Sequence, residues 1–170
     1  ALSAGTTTAE LARRLVDVPG LTVVTNSLPV AEIMYAGGRS DQTVVLTGGV
    51  RTPSDALVGP LAVGAIRSLH LDLLFLGVHG MSPRAGFTTP NLMEAETDRA
   101  LVAAADRLVV LADHSKWGTV GISSIVELSA AHVLVSDDGL PSEARRILGE
   151  RVGELVTVSP TGAPTKGGAE

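Results

Sequence analysis

FLGVHGMSPRAGFTTPNLMEAETDRALVAAADRLVVLADHSKWG, residues 75–118, decides how this chain folds. The apolar run Leu73–Gly77 has the character of a strand and leads directly into His79 and Gly80. A loop follows, then a helical segment carrying Glu94, Glu96 and Asp98. A second apolar strand, from Leu108, ends on Asp113-His114-Ser115-Lys116. In a parallel α/β sheet the C-terminal ends of the strands face one crevice, so His79, the acidic cluster and Lys116 are expected to converge there. Such a crevice suits a small anionic or polyhydroxylated ligand.

The same alternation extends in both directions. Short runs rich in β-branched residues recur at Leu21–Thr25, Thr43–Thr47, Leu71–Leu76, His132–Val135 and Leu155–Val158. Each is too apolar for a strand with one wet face, which predicts buried and mostly parallel strands. Helical segments separate them. Thr8, Leu11, Ala12 and Leu15 form an apolar stripe with Glu10, Arg13 and Arg14 turned outward. Ser27–Tyr35, Pro60–Ser68, Asn91–Ala104 and Pro141–Leu148 repeat the rhythm, with Pro60 and Pro141 suited to a first turn and Asn91 to an N-cap. The predicted fold is α/β: an open, mostly parallel sheet flanked by helices and built from right-handed βαβ units. One domain is expected over residues 1–159, followed by a flexible Gly/Pro/Thr-rich tail at 160–170. Ala1 stands in place of an initiator Met, and Ser3–Thr8 already reads as a strand-to-helix turn with almost no strand ahead of it. The expectation is a fragment whose N-terminal part lies elsewhere.

Composition narrows the function. The chain has 170 residues, 45% hydrophobic and 18% charged, as in an ordered globular protein. Its net charge of −5, with no basic run, makes it a poor DNA binder by itself, because phosphate contacts need clustered Lys and Arg. The absence of cysteine excludes disulfides, thiolate catalysis and Cys-based zinc sites. No apolar run approaches the ~20 residues of a membrane span, and no signal peptide is visible. A soluble, cytoplasmic domain is expected, with no metal and no cofactor.

Several short motifs are candidate sites. Gly5-Thr6-Thr7-Thr8 opens the first helix, where unpaired N–H groups and the helix dipole favour an anion; a plain Thr cap is the alternative. Asn26 and Ser27 lie at a strand-to-helix junction, suited either to capping or to the crevice. After Gly48-Gly49, Arg51 offers either a positive charge to the site or a solvated turn residue. The chain has 11 Arg but two Lys, and Lys116 sits at a strand end while Lys166 lies in the tail. A lone ammonium among guanidinium groups points to a phosphate or carboxylate contact, with an Asp113 ion pair as the alternative. Glu94 and Asp98, at i and i+4, share a helix face, and Glu96 does not. His70 and His132 read as structural; His79 and His114 are site candidates by position. No metal-ligand spacing and no nucleophile elbow is present.

Together SAGTTT (Ser3–Thr8), TNSL (Thr25–Leu28), TGGVR (Thr47–Arg51), LVGP (Leu57–Pro60), LGVHG, GFTTPN, MEAE and LADHSKWG resemble the C-terminal sensor domain of DeoR-family transcriptional repressors. The resemblance runs from about Leu2 to Val158. It implies a fold similar to ribose-5-phosphate isomerase and the CoA transferases, and a domain that binds a phosphorylated sugar or related metabolite. It further implies a homo-oligomer and operator DNA contacted only through an N-terminal winged helix-turn-helix outside this chain. Residue by residue, Gly5, Thr6, Thr7 and Thr8 match the family's phosphate loop, and Asn26 and Ser27 its second loop. Glu96 matches its helix acid, and Asp113 and Lys116 its Asp-x-Ser-Lys motif. His79 and Gly80 occupy the site loop. Two positions depart: Ser3 stands where Asp is frequent, and Asp98 where a basic residue is common. The isomerases of this fold carry Gly-Ala-Asp-Glu and a Lys-Gly-Gly loop; here Gly77-Val78-His79-Gly80 and Ala85-Gly86-Phe87 stand instead. Loss of those proton-transfer groups implies binding without turnover. An active sugar-phosphate isomerase, with Glu94, Glu96 or Asp98 as base, is the alternative.

Overall fold

The computed structural model describes residues 1–37 and 39–159; the tail expected at 160–170 lies outside these residues. In chain order the elements are α1 (Thr6–Leu15), β1 (Thr22–Thr25), α2 (Leu28–Ala36), β2 (Thr43–Leu46), β3 (Val50–Arg51), β4 (Leu57–Val58), α3 (Pro60–Ile66) and β5 (Leu74–Gly77). There follow β6 (Gly80–Ser82), β7 (Gly86–Thr89), α4 (Leu92–Ala104), β8 (Leu108–Leu111), a 3-10 turn (His114–Lys116), β9 (Ser123–Val126), β10 (Val133–Asp137), α5 (Ser142–Arg151) and β11 (Leu155–Val158).

The six expected apolar runs are all strands, and every pairing among them is parallel. Four form a sheet in the order β11-β10-β8-β5, and β1 pairs with β2. Leu2 joins the two groups by bridging Thr25 on one side and Phe75 on the other. Its N–H donates to Val24 O at 2.9 Å, and Ser3 N–H donates to Phe75 O at 3.0 Å. The residues before α1 thus fill the central slot of an open α/β sheet.

Side chains alternate across this sheet, as strand geometry requires. Val24, Leu74, Leu76, Leu108, Val110 and Leu134 enter one core with residues of α3, α4 and α5. Val23 and Phe75 enter a second core with α1 and α2. Helices therefore cover both faces, which is why the strands read as unbroken apolar runs. The caps form as expected at α2 and α4. Ser27 Oγ accepts from Val30 N–H, and Asn91 Oδ1 accepts from Met93 and Glu94 N–H. Pro60 opens α3, while Pro141 stands one residue ahead of α5.

The loop expected after Gly80 is structured. β6, β7 and β9 form a small antiparallel sheet with fully buried Met81 and Phe87. These strands carry Gly, Ser and Thr, so they lack the apolar signature of the main sheet. Gly80 shows why. A Cβ there would stand 2.1 Å from Thr119 O and 3.0 Å from Thr88 Oγ1. Gly80→Ala is therefore expected to lower Tm by roughly 2–12 °C, since overpacking costs ~1–3 kcal/mol and each kcal/mol is worth about 2–4 °C at this size. Gly64→Ala in α3, where an added Cβ meets nothing within 4 Å, is expected to hold or raise Tm. Equal behaviour of the two in a thermal melt would contradict the packing account.

Candidate functional site

A cavity of about 280 Å³ opens at the C-terminal edge of the main sheet. It is lined by residues at or just after the ends of the Leu2 segment, β1, β5 and β8 (Gly5, Asn26, His79 and Leu111 among them), together with the first half of α4 and the 3-10 turn. This is the crevice where the central segment sends one crossover to β1 and its other neighbour is β5.

The first wall is the N-terminus of α1. Gly5 takes φ 155° and ψ 159°, a region reserved almost wholly for glycine, and no side chain caps the helix. The leading N–H groups at Thr6 and Thr7 therefore face the cavity with the positive end of the helix dipole. Thr8 is buried and its hydroxyl donates to Gly5 O at 2.9 Å, so it braces the loop from behind. Ser3 is also behind the wall, accepting from Gly77 N–H at 3.0 Å. Asn26 lines the cavity, yet its amide is spent on the protein. Oδ1 accepts from Ala4 N–H at 3.2 Å and Nδ2 donates to Leu57 O at 3.2 Å. It fixes the loop before α1 against the β3–β4 hairpin.

The opposite wall is acidic. Glu94 and Asp98 line the cavity together. Glu94 Oε1 accepts from Thr52 Oγ1 at 3.0 Å and from the Ser54 hydroxyl, and Oε2 accepts from Thr89 Oγ1 at 3.2 Å. Asp98 is 8% exposed and takes no side-chain hydrogen bond or ion pair within the described residues. Burial, and then the charge of Glu94, push its carboxyl up to about 8, with Arg99 opposing. The Arg99 guanidinium turns away and donates to Ser124 O.

Lys116 lines the cavity from the 3-10 turn, and its Nζ lies 4.0 Å from Asp113 Oδ2, the ion pair expected as the alternative. His79 lines the cavity as well.

Six expected site residues lie elsewhere, besides Thr8. Glu96 is exposed and outside the cavity, and the acids that line it are Glu94 and Asp98; the helix phase is the reason. Arg51 is turned outward into an i,i+4 pair with Asp55 at 2.6 Å, which closes the β3–β4 hairpin. Ser27 is consumed as the α2 cap, and Gly80 by its close approach to Thr119. Asp113 accepts from Ser115 N–H at 2.8 Å and shapes the turn that presents Lys116. His114 is held away from the cavity by Asp137, Nδ1 to Oδ1 2.7 Å. Ser54 and Thr89 also line the cavity; Thr89 lies within the GFTTPN motif, and Ser54 has no signal in the sequence.

The buried Asp98 has a pH signature. The folded state keeps its proton up to about 8, whereas an unfolded Asp releases it near pH 4. Between these limits the folded state binds the extra proton, so stability falls as pH rises. Urea denaturation of the unliganded protein beside Asp98→Asn from pH 5 to pH 8 should show this decline as the difference between their slopes, since the Ala1 ammonium, lowered to about 6 by burial, contributes the opposite trend to both. Asp98→Asn, neutral throughout, should lack it and be the more stable protein at pH 8; an unchanged slope in the variant would contradict the assignment.

Comparison with known proteins places this geometry. The family model described as DeoR C terminal sensor domain matches residues 1–138. The chain is 36% identical over 148 residues to the uncharacterized HTH-type transcriptional regulator YgbI of Escherichia coli K12, covering 86% of this chain and 57% of the relative. It is 36% identical over 143 residues to the HTH-type transcriptional regulator GlpR of Haloferax volcanii, covering 84% and 55%. Against the transcriptional repressor AccR of Agrobacterium fabrum it is 31% identical over 140 residues, covering 81% and 54%. The chain thus spans somewhat over half the length of the curated relatives it matches. These relatives are transcriptional regulators and not enzymes, which removes the isomerase alternative. A sheet with a cavity at its C-terminal edge, a family match over residues 1–138 and relatives of this kind lead to one conclusion: the chain belongs to the DeoR family and corresponds to its C-terminal sensor domain.

Proposed function

We propose that this domain is the effector switch of a transcriptional repressor and that its effector is a phosphorylated sugar or closely related metabolite. The observation that carries this reading is the meeting of the uncapped α1 N-terminus and the Lys116 ammonium in one small cavity. Backbone N–H groups with a facing cation make an anion site, and the hydroxyls and carboxylates of the opposite wall suit a polyhydroxylated body. Operator contacts belong to the part of the protein beyond this chain, since this domain has net charge −5. A homo-oligomer presents two such parts to one operator; the outward-facing Leu61, Leu92 and Ile122 support self-association.

The test is a thermal-shift panel of sugar phosphates beside their unphosphorylated parents. A true effector at 100 times its Kd adds about 2.7 kcal/mol, a rise on the order of 5–10 °C. The parents should give no comparable rise. Lys116→Ala should weaken the phosphorylated ligand by about 10- to 100-fold and its parent far less, because a charge-assisted contact is lost. Thr6→Pro is tolerated at the first helical position but deletes one N–H donor, so it should weaken the same ligand while the fold persists. Equal losses for ligand and parent, or unchanged affinity in both variants, would contradict the phosphate assignment.

A further inference from the structure

The cavity is lined by groups of both characters. Thr6 and Thr7 at the α1 N-terminus and the Lys116 ammonium favour an anion, and Glu94 and Asp98 bring two carboxyls. Glu94 is already engaged, since three hydroxyls from Thr52, Ser54 and Thr89 donate to its two oxygens and fix the carboxylate in place. Asp98, one turn along the same helix, is nine-tenths buried, lines the cavity, and has no partner within the described residues. The Asp98 carboxyl therefore keeps its hydrogen-bonding capacity open to the cavity, where a group from outside can take it.

We propose that the Glu94–Asp98 wall is a subsite for a positively charged amino group, so that the effector is an amino-sugar phosphate, zwitterionic along the length of the cavity. This rests on the reading above that the phosphate sits at α1. An ammonium brings three donors and a positive charge that favours the ionised form of both carboxyls; a sugar hydroxyl brings one donor and no charge. The other charged or titratable groups lining the cavity, His79 and Lys116, belong to the loop after β5 and to the 3-10 turn, not to α4. In the empty cavity the raised Asp98 carboxyl holds its proton at neutral pH. Docking of the ammonium ionises it, and that proton leaves to solvent.

Isothermal titration at pH 7 with a set of aminohexose phosphates, each beside the hexose phosphate that has hydroxyl in place of amine, tests this. The expected result is at least one amine member binding about 10-fold or more tightly than its hydroxyl counterpart, a difference of ~1.4 kcal/mol. In Asp98→Asn the ratio for that pair should fall toward one, with the melting temperature of the unliganded variant showing that it is folded. Hexose phosphates that bind as tightly as their amines would overturn this inference and leave the phosphate reading intact. No binding by any member of the set would overturn the phosphate reading and this inference with it.

Discussion

The seating of Leu2 and Ser3 between β1 and β5 is the constraint on which the rest depends. Two backbone hydrogen bonds, to Val24 O and Phe75 O, place this segment in the middle of the sheet. Thr25 Oγ1 donates to Leu2 O at 2.7 Å, and Gly77 N–H donates to Ser3 Oγ at 3.0 Å, so both neighbouring strands are locked to it. The chain then has one residue, Ala4, before Gly5 must turn into α1. That short reach fixes the start of the helix at the strand ends. Asn26 finishes the work by gripping Ala4 N–H and Leu57 O at once. A site made of backbone donors needs this kind of rigidity, since those donors cannot adjust by changing rotamer.

The acidic wall is positioned by different means. α4 is capped by Asn91 and seated against the small antiparallel sheet, with Ala95 and Leu101 fully buried. Glu94 then faces the β3–β4 hairpin, whose Thr52 and Ser54 hydroxyls close over it. The cavity is therefore bounded by three independently anchored pieces: the α1 loop, the hairpin with α4, and the turn bearing Lys116. Groups of opposite character around one cavity polarise the space between them. The low dielectric of the surroundings strengthens that field relative to water.

Much of this was legible in the chain. Strands such as Leu108–Leu111 and Val133–Asp137 are covered on both faces, and the sequence reports this as unbroken apolar runs. The caps at Ser27 and Asn91 were equally visible, because capping chemistry is local. What stayed hidden was set by tertiary contact. β6, β7 and β9 pack through Gly80 and buried Thr88, and nothing in Gly-Met-Ser or Gly-Phe-Thr-Thr announces a strand. Helical phase separated Glu96 from Glu94 and Asp98 but did not say which face meets the cavity, so the match to a family motif picked the exposed acid. Arg51 carries the right charge for an anion and is diverted by Asp55 four residues on. Asn26 has the right place, and its amide is consumed in holding the loop.

A crystal structure of the domain soaked with a sugar phosphate tests the central claim most directly. The account predicts the phosphate within about 3 Å of the Thr6 and Thr7 amide nitrogens and in contact with Lys116, with the sugar directed toward Glu94 and Asp98. A phosphate resting at Arg51 or on any other surface, with the N-terminus of α1 left uncovered, would contradict it.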